Sequence, residues 1–216
     1  MIGDPRAFIL ANTRLQRPPH TPEIMLHLAD EVTPIWRMTE EALGDIGVPP
    51  PFWAFAWAGG QALARYVLDH PETVRRRHVI DFAAGSGIVG IAAMKAGAAS
   101  CLCADVDVFC EAAVSLNAEA NGVELTFTAN DLLNGPAPAG IDRILASDIS
   151  YERPLAERVR AWLTEAHASG KTVLIGDPRR TYFSTDGLRQ LAEYQVETTR
   201  ELEDIAVKRS GVWTFA

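Results

Sequence analysis

Val79-Ile80-Asp81-Phe82-Ala83-Ala84-Gly85-Ser86-Gly87-Ile88-Val89-Gly90 runs from an apolar β-branched segment through glycines spaced G-x-G-x-x-G into helix-forming residues. A strand that turns on glycines into a helix brings backbone N–H groups close to a ligand. Downstream, the short apolar runs 101–106 (CLCADV), 125–130 (LTFTAN), 143–148 (RILASD) and 172–177 (TVLIGD) read as strands buried on both faces. Helical patterns at about 88–96, 109–121 and 154–168 separate them. This β-α-β-α rhythm predicts parallel pairing in a doubly wound α/β sheet of Rossmann-like type. The last runs, 193–202 and 205–216, have no crossover helix between them and predict an antiparallel hairpin.

Upstream, seven prolines between positions 18 and 51 mark a different kind of segment, read as an N-terminal helical cap over 1–58 on a core of 59–216. Thr21-Pro22-Glu23 suits a helix start, so a helix is expected over about 22–30, and a second near Gly60. The run Arg75 to Arg77 is expected at a helix C-terminus, where the dipole favours cations.

With 48% hydrophobic and 22% charged residues over 216 positions, the chain can bury one sizeable core. A net charge of -8 argues against a phosphate backbone as partner. No apolar run is long enough for a membrane helix, and the expected location is cytoplasmic. Cys101, Cys103 and Cys110 are an odd number without metal-ligand spacing, so buried thiols in a reducing compartment are expected, with no metal.

The glycine loop alone suits a nicotinamide dinucleotide as well as a methyl donor, because Asp105 lies about 20 residues on, where it could hold ribose hydroxyls. Two features favour S-adenosylmethionine. Asp81 is a carboxylate in an apolar strand, costly unless an ammonium such as that of the donor's methionine end, or backbone donors, stabilises it. Asn130 and Asp131 place polar groups after the third core strand, as a phosphate-free donor requires, and Asp131 suits either the adenine amino group or a helix cap. Asp107 is read as the cap of the following helix. Trp57, with Gly59 and Gly60, would set an aromatic face beside the donor, while Trp53 and Phe55 are read as a satellite core under the cap. The expected cofactor set is thus Trp57, Gly59, Asp81, Gly85, Ser86, Gly87, Asp105, Val106, Asn130 and Asp131.

After the fourth core strand, Asp148-Ile149-Ser150-Tyr151-Glu152 sets a carboxylate and a phenol three residues apart at the sheet edge where such folds bind ligands. Asp148 and Tyr151 are the candidate catalytic residues. Together with the stretches at 51–66, 81–93, 116–123, 174–183 and 202–215, this segment resembles the seven-stranded lysine methyltransferases that carry Asp-x-x-Tyr or Asp-x-x-Phe. More narrowly it resembles the electron transfer flavoprotein β-subunit lysine methyltransferases and their bacterial relatives. The resemblance implies a class I methyltransferase fold, S-adenosylmethionine as donor and S-adenosylhomocysteine as product. It also implies donor contacts at Trp57, Gly85, Gly87 and Asp105, and Asp148 and Tyr151 facing a substrate lysine, with the flavoprotein β subunit as the suspected partner. Ala83 departs from a usual glycine, a change that needs only a backbone with φ below zero. Ile149-Ser150 stands where Val-Phe is more usual, removing an aromatic from the lysine channel. Gly176-Asp177-Pro178-Arg179-Arg180 could rim the acceptor site or form a solvated loop. A small-molecule N-methyltransferase and a non-catalytic donor-binding module are the other readings; the Asn/Asp-Pro-Pro-Tyr edge expected of a nucleic-acid amino-methyltransferase is absent from the sequence.

Overall fold

Helix α1 (Pro5–Asn12) begins where Asp4 accepts the Arg6 N–H and Pro5 takes the first helical position. The computed structural model describes residues 4–30, 33, 35, 38, 40–45, 47–198 and 207–216. The helix expected over 22–30 is instead a turn followed by strand β2 (Leu26–Leu28), paired antiparallel with β1 (Arg14–Gln16). Ile24, Leu26 and Leu28 are buried while Met25 and His27 between them are half-buried, a period of two rather than 3.6. The free edge of this short strand is closed by side chains. Asn121 accepts the Met25 N–H at 3.0 Å and donates to its carbonyl, and Asn117 accepts the His27 N–H at 2.7 Å. After α2 (Glu40–Asp45), α3 (Ala58–Asp69) starts two residues before the predicted Gly60.

Among the described residues the main sheet has seven strands: β3 (His78–Phe82), β4 (Ser100–Ala104), β5 (Thr126–Thr128), β6 (Arg143–Ser147), β7 (Thr172–Asp177), β8 (Leu188–Glu197) and β9 (Val207–Phe215). Their order is β5-β4-β3-β6-β7-β9-β8, with β3 to β7 parallel and β9 antiparallel to both neighbours. The predicted terminal hairpin is therefore present, its first strand beginning earlier, at Leu188; residues 199–206 lie outside the described ones. The crossovers α4 (Ile88–Lys95), α5 (Val108–Asn121) and α6 (Arg153–Ala168) fall within one residue of the predicted spans.

Alternation along the strands sorts the core into two layers. Val79, Cys101, Cys103, Leu145 and Leu174 pack with α3 and α4, whereas Ile80, Ile144, Val173 and Ile175 meet Val159, Trp162 and Leu163 of α6. Each such aliphatic chain, taken out of water, contributes roughly 1.5–3 kcal/mol. The three thiols are free and buried, as expected. Arg75 to Arg77 do not end a helix: α3 stops at Asp69, a 3-10 turn over Pro71–Thr73 follows, and Arg76 has φ 60 with its N–H on the Gly97 carbonyl. No helix among the described residues is long and apolar enough to cross a membrane.

The chain runs β3, β4, β5 outward in one direction and then returns to place β6 and β7 on the other side of β3. The strand order thus reverses between β3 and β6, and a crevice opens there at their carboxyl ends.

Candidate active site

A cavity of about 350 Å³ fills that crevice, walled by the loops after β3, β4, β5 and β6 and by the segment preceding α3. Of the residues singled out from sequence, Trp57, Gly85, Ser86, Asp105, Val106, Asn130, Asp131, Asp148 and Tyr151 all stand on its wall. Gly59, Asp81 and Gly87 are not among the lining residues.

At one end Asp105 follows β4. Its Oδ2 accepts the Gly85 N–H at 2.9 Å and its Oδ1 accepts the Asp107 N–H at 3.1 Å, which fixes the carboxylate and leaves further lone pairs for hydroxyl donors. Asp107 caps α5 through the Phe109 N–H, as read from sequence. The glycine loop is also held from behind, because the fully buried Asn117 donates to the Ser86 carbonyl at 2.8 Å while its oxygen serves β2. Asp131 caps a short turn through the Leu133 N–H and meets Arg158 at 3.1 Å, so the capping role is occupied although the residue still faces the cavity.

Ala83 corrects one expectation: its φ is +55, not negative. A left-handed conformation costs an L-residue with a Cβ roughly 1–2 kcal/mol. The loop retains this conformation with Ala84 N–H on the Ala104 carbonyl and Gly85 tied to Asp105.

Asp81 lies one layer behind the wall. The strand period puts it on the α4 side of the sheet, where its Oδ2 accepts the Gly90 N–H at 2.8 Å. A Cβ on Gly90 would come within 2.9 Å of Cys103 Sγ and 3.2 Å of this carboxylate, so only glycine allows α4 to approach. Burial, opposed by the Gly90 hydrogen bond, pushes the Asp81 carboxyl up to about 8. The folded protein therefore keeps a proton that the unfolded chain loses above about pH 4, and stability falls as pH rises between about 4 and 8. Between pH 5 and 7, thermal or urea unfolding should show wild type losing about 1.4 kcal/mol per pH unit more than Asp81→Asn, which has no proton to lose. Parallel curves for the two proteins would show an ionised Asp81 in the fold.

At the other end of the cavity Asp148 has φ +55, a strained position that Asp tolerates better than most residues. Its N–H is held by the Gly176 carbonyl at 3.0 Å. Oδ1 accepts from Arg180 Nη2 at 2.6 Å and Nε at 3.1 Å; Oδ2 accepts the Gly60 N–H in the first turn of α3 at 2.8 Å. Gly59 is what lets α3 come so near, since its Cβ would lie 2.4 Å from the Gly176 carbonyl. Asp177, fully buried behind them, accepts the Arg180 N–H at 2.7 Å, and its Oδ2 has no hydrogen-bond partner among the described residues. Burial and the neighbouring Asp148 push its carboxyl up to about 7.

The mouth is aromatic. The Phe52 ring stands 5.6 Å from Tyr151 and 6.0 Å from Trp57, and Phe55 stands 5.7 Å from Trp57. Trp57 donates its indole N–H to the Phe52 carbonyl at 2.9 Å, and the Arg180 guanidinium lies 5.4 Å over its ring. Trp53 belongs to the core with Phe109, as expected, and Phe55 packs against that satellite cluster, also as expected, while reaching the cavity wall as well. Burial raises the Tyr151 phenol, so it stays neutral through the physiological range. Phe52 is a wall residue that sequence reasoning did not place there, and Arg180 stands on the wall as the rim reading of residues 176–180 allowed. The spacing of Arg180 after β7, beside β6, pointed to this edge without saying which of the two arginines turns inward. Arg179 turns away, 5.4 Å over Trp213.

The chain is 37% identical to the electron transfer flavoprotein beta subunit lysine methyltransferase of Xenopus laevis, over 98% of its own length and 87% of the relative's. It belongs to that family. The human protein of the same name is 35% identical over 97% of this chain and 81% of its own. The profile described as ribosomal protein L11 methyltransferase (PrmA) matches residues 61–176. The solved magnesium protoporphyrin IX methyltransferase of Synechocystis, with bound SAM, shares the fold at TM-score 0.52 and 16% identity, covering 73% of this chain and 80% of its own. The chain is thus an S-adenosylmethionine-dependent methyltransferase of class I architecture, and the dinucleotide reading of the glycine loop falls away. Within this flavoprotein lysine methyltransferase family, the residues at the mouth of the cavity take on a specific chemical meaning.

Proposed function

We propose that the protein methylates lysine side chains of the electron transfer flavoprotein β subunit, with the donor deep in the cavity and the lysine entering past Phe52, Trp57 and Tyr151. The observation that carries this reading is the single cavity that joins Asp105 and the glycine loop at one end to Asp148 and an aromatic mouth at the other. The residues present suit S-adenosylmethionine. Asp105 has open acceptor sites for ribose hydroxyls, Val106, Leu132 and Leu133 offer apolar surface to the adenine, and Asn130 and Asp131 supply polar groups at its edge. The backbone at Gly85 and Ser86, with Trp57, would border the methionine portion, while Asp81, Gly87 and Gly59 support the loop and helix from behind.

The donor supplies a methyl group on a sulfonium, and transfer to the amine nitrogen leaves S-adenosylhomocysteine and the methylated lysine. The chain's own task is alignment of an unprotonated amine for in-line attack. A lysine of ordinary pKa near 10.4 costs roughly 4–5 kcal/mol to neutralise at pH 7, and a narrow aromatic mouth that strips water from it reduces that cost. Asp148, already bonded by Arg180 and Gly60, orients the amine rather than taking its proton. Tyr151 and Phe52 form the wall against the aliphatic stem.

Purified protein, electron transfer flavoprotein and methyl-labelled donor test this directly. Label on lysines of the β subunit, located by mass spectrometry, is the expected outcome. Label confined to low-mass products in a lysate from a strain lacking the gene would replace it with a small-molecule acceptor.

A further inference from the structure

We propose that Arg180 is a positioning residue that offsets the charge of Asp148, so that Asp148 acts only as an orienting group and lysine is taken as its neutral amine. The inference rests on the reading of this cavity as a lysine-accepting site. Asp148 alone would do the opposite of what methyl transfer needs, because an unpaired carboxylate stabilises the ammonium form of a neighbouring lysine. In this structure the carboxylate is matched by a guanidinium that remains charged at any working pH. Two donors of that guanidinium meet one oxygen, at 2.6 and 3.1 Å, and the pair is screened little by water, with side chains 15% and 10% exposed.

The other described groups around the slot leave this ion pair intact. From β7, Asp177 accepts the Arg180 N–H and, with its carboxyl pushed up to about 7, is largely protonated below neutrality. Tyr151 is a neutral phenol, Glu152 beside it is exposed, and Asp105 across the cavity is bonded to the Gly85 and Asp107 amides. Arg153 and Arg158 on α6 meet Glu157 and Asp131, and Arg179 lies over Trp213. The α3 start contributes the Gly60 N–H and no charge. Trp57, under the guanidinium at 5.4 Å, holds it in place. An incoming lysine ammonium therefore meets a carboxylate whose charge is already offset, finds little to hold its proton, releases it to solvent, and enters as the amine.

The test uses the full chain, the purified flavoprotein, and the variants Arg180→Gln, which removes the charge, and Arg180→Lys, which keeps one. The first readout is kcat against pH at saturating acceptor, since this profile reports groups in the assembled complex. Arg180→Gln should move its rise upward by about one pH unit or more, and Arg180→Lys should return it most of the way. The second readout needs no turnover. Calorimetric binding of the flavoprotein to the complex with S-adenosylhomocysteine, in buffers of different ionisation enthalpy, should show about one proton released by wild type and by Arg180→Lys, and less by Arg180→Gln. A fall in kcat for Arg180→Gln with an unshifted profile and unchanged proton release would reduce Arg180 to a structural role. Wild-type protein that binds S-adenosylhomocysteine but neither binds nor methylates the flavoprotein would overturn the proposed function and this inference together; methylation with an unshifted profile overturns this inference alone.

Discussion

Replacing Asp148 by alanine lowers kcat for lysine methylation by about a hundred-fold or more, because an amine that is not held in line with the transferred methyl group loses the alignment from which most of the rate derives. The change reaches further than a lost contact. Arg180 is left beside the slot without its carboxylate, and the Gly60 N–H at the start of α3 loses its acceptor. Leaving this mostly buried cation unpaired costs about 3 kcal/mol, since little water reaches the pair. Asp148→Asn separates the two effects: the amide can still accept from Gly60, and the measurement is kcat together with the melting temperature and the affinity for S-adenosylhomocysteine. Donor-product affinity within about three-fold of wild type, alongside the lost turnover, marks an acceptor-side role. Wild-type kcat in Asp148→Ala would remove Asp148 from the mechanism. The alanine variant also leaves the Arg180 cation in place, so its residual activity should not rise at higher pH than wild type's.

Gly59→Ala is the second large effect. The added methyl group would lie 2.4 Å from the Gly176 carbonyl and 2.6 Å from Asp148 Oδ2, and both neighbours are held: the carbonyl accepts the Asp148 N–H, and the carboxylate is bonded to Gly60. Neither is a flexible chain end that could swing aside. Helix α3 must therefore move off β7, at a cost of about 3 kcal/mol or more, and Asp148 moves with it. The expected result is a melting temperature lowered by several degrees and kcat reduced about as far as in a direct Asp148 substitution. Gly44→Ala, where an added Cβ meets nothing within 4 Å, is the control that should leave both unchanged. Unaltered melting and turnover in Gly59→Ala would show that α3 has room to adjust.

The parallel core was legible because its signals are local. Gly85, Gly87 and Gly90 mark a strand-to-helix turn by spacing alone, and the crossover helices α4, α5 and α6 carry their own periodicity, hence boundaries within one residue. The N-terminal segment was not legible. Whether residues 24–28 form a helix or a strand is decided by Asn117 and Asn121, some 90 residues away in sequence, which satisfy the strand's backbone. The positive φ of Ala83 is likewise imposed from elsewhere, by Asp105 drawing in the Gly85 amide. At the site, Asp148 and Tyr151 followed from residue type and their place after a strand. Arg180 could be assigned to the edge but not to its partner, since two adjacent arginines leave the sequence alike and only the folded loop sends one to Trp57 and the other to Trp213. Phe55 faced the cavity because the segment before α3 folds across the crevice, a tertiary fact with no local signature.

Asn117 grips two things at once, the Ser86 carbonyl with its amino group and the His27 amide with its oxygen. One planar carboxamide cannot rotate to suit one neighbour without failing the other. The amino-terminal ribbon and the glycine loop of the cavity are therefore yoked: peeling the ribbon from α5 slackens the loop, and a ligand that stiffens the loop delays the peeling. Trimming the chain from its beginning is for this reason an operation on the pocket, however remote the excised residues look in the sequence.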